Sequence, residues 1–142
     1  MNENGILLED KNVVLEWNKS VLELAKENNA KIIEQDDRII INWGTHIILN
    51  GIKLELSNTY LLEKPDKFNF IESTFNGDDE SFNNFNLIER HIEKYYGNPI
   101  KSEDDMEIKR DKIRIWEISN IKIKLYLFEI HAFRLNFTIE KI

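Results

Sequence analysis

The chain is 142 residues long, a length that suits one domain, and its 42% hydrophobic content, three Trp and eight Phe supply a core that a disordered chain lacks. It has no Cys, which excludes disulfides, thiolate metal sites and a Cys nucleophile and is in keeping with a reducing compartment. The net charge of −7 is dispersed: residues 1–71 hold 8 Lys/Arg and 12 Asp/Glu, and residues 72–142 hold 11 and 14, so a nucleic-acid binder, which draws its affinity from a basic face, is disfavoured.

The first ten residues are acidic and carry only the short apolar run Ile6-Leu7-Leu8, which reads as an edge strand. A signal peptide needs a basic start and a longer apolar stretch. Runs such as Ile39-Ile40-Ile41 and Ile47-Ile48-Leu49 fall far short of the ~18 apolar residues that span a bilayer. The expected location is the cytoplasm.

Val14, Trp17, Val21, Leu24 and Ala25 recur at helical spacing, which predicts a helix over 13–28 ended by Asn28-Asn29. Asp10, Asn12 and Asn18 are its candidate caps. Residues 31–62 read as strands: Arg38 to Trp43, punctuation at Gly44-Thr45, a run from His46 to Leu49, a hairpin at Asn50-Gly51, and the clean alternation of Ile52 to Leu56. Pro65-Asp66 marks a loop, and Lys67 to Glu72 alternates again.

Ser81 stands as the cap of a second helix over 82–96, with Phe82, Phe85, Ile88, Ile92, Tyr95 and Tyr96 at helical spacing. Gly97 and Pro99 end it. Residues 101–111 are mostly charged and read as a loop or exposed ribbon. Lys112 to Ile118, a Ser119-Asn120 turn, Ile121 to Ile130 and Phe133 to Ile139 then form an antiparallel meander, since links this short cannot return a parallel strand. Ile121, Ile123, Leu125 and Leu127 share one face, and Tyr126, Phe128 and Ile130 share the other, so the far end of that strand is expected to be covered on both sides.

The reading is therefore one domain, 1–142, of the α+β class: two amphipathic helices packed on a largely antiparallel sheet. The halves also align as two βαβββ pseudo-repeats, with Trp17-Asn18 on Phe85-Asn86, Leu24 on Ile92, Trp43 on Trp116, and Asn50 to Leu56 on Ser119 to Leu125.

Reactive groups are sparse. His46, His91 and His131 form no zinc-binding spacing. The acidic runs Glu34 to Asp37, Asp78 to Glu80 and Glu103 to Asp105 do not fit a calcium loop. Five Gly, mostly engaged in turns or a helix stop, leave no phosphate-cradling loop. Trp17, Trp43 and Trp116 sit in apolar stripes and are expected in the core. No catalytic residue, metal ligand or cofactor is assigned, and the expectation is a protein that is not an enzyme.

A small acidic Cys-free chain with a helix, Tyr95-Tyr96-Gly97-Asn98-Pro99, a Trp strand and a closing meander resembles small bacterial immunity proteins of polymorphic or contact-dependent toxin systems. The resemblance covers the general layout and the segment from Phe82 to Ile139, and it transfers no individual residue. It implies a one-to-one complex with a toxin domain, a basic protein partner suiting an acidic inhibitor; direct contact with nucleic acid or membrane is set aside on the charge and the short apolar runs. The acidic loops, Asp78, Asp79, Glu80, Glu103, Asp104 and Asp105, are the candidate partner-binding residues. Two other readings stay open: a secretion-chaperone-like client-binding dimer, and a small enzyme or ligand-binding domain with a pocket between helices and sheet. Monomer and dimer are not distinguished.

Overall fold

A computed structural model describes residues 3–63, 67–105, 107 and 110–142. The expected loop at Pro65-Asp66 lies outside them. The chain divides into two compact units, 1–71 and 72–142. The architecture is α+β, one helix and antiparallel strands in each unit.

In the first unit β1 (Gly5–Leu8) and β2 (Val13–Glu16) pair as an antiparallel hairpin. Gly5 is required there: a Cβ would fall 2.0 Å from the carbonyl oxygen of Leu15 on the facing strand. The helix expected over 13–28 is thus strand in its first four residues. The true helix, α1 (Val21–Glu27), starts where Ser20 accepts a hydrogen bond from the backbone N–H of Glu23. Ser20-Val-Leu-Glu23 is a capping box in the sequence. The apolar spacing of Val14 and Trp17 obscured it, although Asn18 breaks any helix with φ 66°. The end at Asn28-Asn29 is as expected, with Asn28 as the C-cap and Asn29 at φ 55°.

The strands β3 (Lys31–Gln35), β4 (Arg38–Ile48) and β5 (Ile52–Leu61) follow in sheet order. Gly44-Thr45 does not end a strand. It sits at a bulge in β4, where the register with β5 shifts between Asn42 and Gly44. The extra residue changes the parity of the strand: Ile39, Ile41 and Trp43 are buried before it, and Ile48 after it. Leu49 (φ 48°), Asn50 (φ 64°) and Gly51 make a three-residue loop, closed by Gly51 N–H to the Ile48 carbonyl at 3.2 Å. The hairpin is where Asn50-Gly51 placed it, but its turn is one residue earlier.

Phe68 is the centre of this unit's aromatic cluster. Its backbone is tied to the segment before α1 by Asn18 N–H to Phe68 O (2.9 Å) and Phe68 N–H to Lys19 O (2.8 Å). Its ring stacks on Trp17 at 5.2 Å and meets Trp43 edge-on at 5.9 Å. Asn58, fully buried, accepts from Trp43 Nε1 at 2.7 Å and donates to Phe70 O at 2.6 Å.

The strand expected over 67–72 lies later, as β6 (Phe70–Asn76), and carries the chain from the first unit into the second. There α2 (Asp78–Tyr96) begins four residues before the expected start, with Gly77 as its N-cap. Ser81 is not the cap. It is buried in the first turn and donates to the Phe133 carbonyl at 3.0 Å. Gly97 ends the helix at φ 88°. The strands β7 (Lys101–Asp105), β8 (Asp111–Ile118), β9 (Ile121–Ile130) and β10 (Ala132–Lys141) form the meander, in sheet order β10-β9-β8-β7. The charged segment is thus an exposed ribbon in its first half.

One face of this sheet is core: Arg114, Trp116, Ile121, Ile123, Leu125, Leu127, Phe133, Leu135, Phe137 and Ile139 are buried, beneath the Phe85, Ile88 and Ile92 stripe of α2. The helix crosses the strands obliquely. Its first residue accepts from Phe133 N–H on β10, and its stop, Gly97, accepts from Trp116 Nε1 on β8 at 3.0 Å. On the opposite face Tyr126 and Phe128 stack at 4.9 Å and are half-buried, but Ile130 is 51% exposed. The far end of β9 is therefore open, not covered on both sides: β8 flanks it only as far as Leu127, which leaves β10 alone beside its last residues.

Each unit places a helix before a meander whose second strand carries a buried Trp (Trp43, Trp116). The hairpin half of the proposed alignment corresponds to matching elements. The helix half does not: Trp17-Asn18 precede α1, whereas Phe85-Asn86 lie within α2.

Candidate functional site

The six candidate acidic residues all lie in the second unit, and the strand registers bring them to one end of its sheet. Asp78 Oδ1 accepts from Phe133 N–H at 2.8 Å, which fixes the start of α2 beside the β9–β10 turn. Asp104 faces Lys112 and Asp105 faces Asp111; Lys112 in turn faces Leu127, and Glu129 faces Phe133. The carboxyl end of β7 is therefore level with the same turn. Three strand spacings of ~4.8 Å separate β7 from β10, so the two acidic groups flank that end of the sheet. The sequence holds them 23 residues apart at their nearest, Glu80 to Glu103.

Their roles differ. Asp78 is held by the fold. Asp79 and Glu80 are exposed in the first turn of α2, where the helix dipole favours negative charge, and Glu80 also accepts from Asn84 Nδ2 at 3.2 Å. Glu103 points to the open sheet face near Lys101, at 3.6 Å. Asp104 points to the helix side and pairs with Arg114, which also binds Glu89 of α2. Arg114 is buried over the Phe85 ring, 5.3 Å from its centroid, so Asp104 serves the fold as well as the surface. Asp105 is half-buried.

Between the two groups lie residues that the sequence reading did not assign to a partner surface. Arg110 pairs with Glu129 at 3.2 Å and covers the Phe133 ring at 5.1 Å. Ile130 ends β9, paired with Ala132, and His131 makes the turn at φ 64°, exposed. This end of the sheet thus carries acidic side chains on β7, on β9 and at the start of α2, the cations Arg110 and Arg134, and an exposed isoleucine on the open face. The alternation of Tyr126, Phe128 and Ile130 was the available signal for that apolar end.

The histidines are separate. In the first unit His46 Nδ1 lies 3.0 Å from Asp10 Oδ2, and its Nε2 lies 2.7 Å from the Trp43 carbonyl. Asp10 Oδ1 also accepts from Ile47 N–H at 3.0 Å, so this group ties the β1–β2 turn to β4. In the second unit the His91 ring lies 4.9 Å from that of Tyr95 on α2. No group of three or more His or acidic side chains able to hold a metal occurs among the described residues. Shallow depressions of about 430, 410 and 240 Å³ lie on the outward side of α2, at the β3–β4 turn and on the open face of β9 and β10. No described helix is long and apolar enough to cross a membrane. Comparison with protein-family models, curated proteins and solved structures gives no match.

The carboxylates set a pH dependence whose sign can be worked out. Asp10 lies below its ordinary value, foremost because Ile47 N–H bonds it and further because of His46. Asp104 lies below its own because Arg114 bonds it. A depressed folded value means stability that is present above the unfolded value, 3.8, and lost as pH falls through the folded one. Glu72 is the reverse: burial alone raises it above 4.5, so its charged form destabilises the fold at neutral pH and acidification through the raised value relieves this. The urea midpoint should rise modestly on acidification from neutrality toward 4.5, then fall below 3.8. Glu72→Gln should remove the rise, and Asp104→Asn should blunt the fall. A midpoint that declines steadily from neutrality contradicts the Glu72 assignment.

Proposed function

We propose that this chain is a protein-binding module of the immunity type, a cytoplasmic bacterial inhibitor that occupies a basic toxin domain and has no catalysis of its own. The observation that carries the reading is the β9–β10 end of the second unit, where the exposed Asp79 and Glu80 and the half-buried Asp105 lie at the same end of the sheet as the exposed Ile130. A central apolar anchor inside a charged rim is how interfaces divide affinity from association rate. The anchor excludes water and slows dissociation, and the rim attracts an oppositely charged surface. The dispersed charge of −7 adds long-range attraction for such a partner.

The test is protection. The chain is co-expressed in its host with the toxin domain encoded beside its gene, and binding of the purified pair is followed by stopped flow. Growth should be rescued. The triple variant Asp79→Lys, Glu80→Lys, Asp105→Lys should lower the association rate about tenfold at low salt while the chain stays folded at the assay temperature by circular dichroism, and Ile130→Asp should raise the dissociation rate. A neighbouring gene that encodes no toxin, or association indifferent to the triple variant, refutes the reading.

A further inference from the structure

The sheet of the first unit ends in β3, and this edge differs from the other exposed edge strand. The sequence of β7 is Lys-Ser-Glu-Asp-Asp, charged in the way that edge strands avoid pairing. That of β3 is Lys-Ile-Ile-Glu-Gln, with every residue exposed and Ile32 and Ile33 at 36% and 37%. Its hydrogen bonds can be assigned from the register. Asp36-Asp37 is a two-residue loop, so the closing pair Gln35–Arg38 exchanges both of its bonds, and pairs Ile33–Ile40 and Lys31–Asn42 follow in the same phase. The N–H and C=O of Ile32 and Glu34 therefore point away from β4, toward the open edge.

We propose that β3 receives an extended segment of another protein, which adds to the sheet as an antiparallel strand. The side chains define the segment. Ile32 and Glu34 lie on the core side, opposite the buried Ile41 and Ile39; Lys31 and Ile33 lie on the open side, opposite Asn42 and Ile40. Directly opposed residues in an antiparallel pair share a face. The segment that matches has a basic residue against Glu34, two apolar residues against Ile33 and Ile32, and an acidic residue against Lys31. A second copy of β3 does not supply this. A twofold axis through the sheet keeps each face on its own side, so it opposes only residues of like parity and sets Glu34 against Ile32 or Ala30, never against Lys31.

The experiment uses the full chain labelled with ¹⁵N and a synthetic end-blocked peptide with the central sequence Lys-Val-Val-Glu. Saturation with peptide should slow amide exchange at Ile32 and Glu34 about tenfold or more, in contrast to Ile33, whose N–H is already bonded. The peptide with Glu-Val-Val-Lys should bind roughly tenfold more weakly, since it opposes like charges at two positions. Glu34→Lys, an exposed change that spares the ladder, should erase that preference. Ile32→Pro removes an outward donor and no β4 bond, and should abolish slowing at Glu34. Unchanged exchange at both amides under saturating peptide overturns the proposal, as does equal affinity for the two peptides. Slowing that grows with protein concentration in the absence of peptide overturns the choice of occupant in favour of a second copy.

Discussion

Phe68→Ala should destabilise the chain by about 3–5 kcal/mol, the range for an aromatic deleted from a core. Phe68 is fully buried and shares its ring with two others, stacked on Trp17 and edge-on to Trp43. Its backbone also closes two hydrogen bonds with the segment at Asn18 and Lys19. Those backbone bonds restrain the walls from collapsing into the space left by the ring, so the cavity term persists. Phe68→Leu, which keeps most of the volume, should lose less than half as much. Urea denaturation at fixed pH, followed by Trp fluorescence, measures both. A loss within 1 kcal/mol for Phe68→Ala would mean that the three rings do not act as one cluster.

Asn58→Leu should cost about 2–6 kcal/mol even though it exchanges a polar residue for an apolar one of similar size. Asn58 has no exposed surface and satisfies two groups at once, the indole N–H of Trp43 and the carbonyl of Phe70. Removing one partner of a buried hydrogen bond leaves the other desolvated, at about 1–3 kcal/mol for each group. Asn58→Asp should be worse, since it loses the donor to Phe70 and buries a charge. Trp43→Phe in the Asn58→Leu background removes the orphaned N–H, so the double variant should lose clearly less than the sum of the singles. Additive losses would show that the Trp43–Asn58 bond carries no coupling.

The long periodic segments were readable in advance. Ile52 to Leu56, Ile121 to Leu127 and Phe133 to Ile139 alternate strictly, and a strand with one buried face has no other way to place its apolar residues. Gly97 before Asn98-Pro99 ends a helix wherever it occurs. The errors fall where two patterns overlapped. Val14 and Trp17 fit a helical spacing with Val21 and Leu24 but belong to a hairpin and to the aromatic cluster on Phe68. Leu49 takes a turn position at φ 48°, a conformation that no propensity assigns to leucine. The bulge at Gly44 changed which side of β4 faces the core, and a period of two cannot show an inserted residue.

The candidate site divides the same way. That Asp78, Asp79, Glu80, Glu103, Asp104 and Asp105 are charged and mostly exposed follows from composition and local pattern alone. That the two groups flank one turn, that Asp78 and Asp104 also serve the fold, and that Ile130 stands open between them depend on the registers of β7 to β10 and on the oblique path of α2. The amino-acid order by itself determined the α+β class, the antiparallel links and the Trp positions in the core, because each follows from local periodicity and short connections. Only the tertiary structure decided which distant residues are neighbours and which strand edge is left open, because register and strand order are set by long-range pairing that no local window contains.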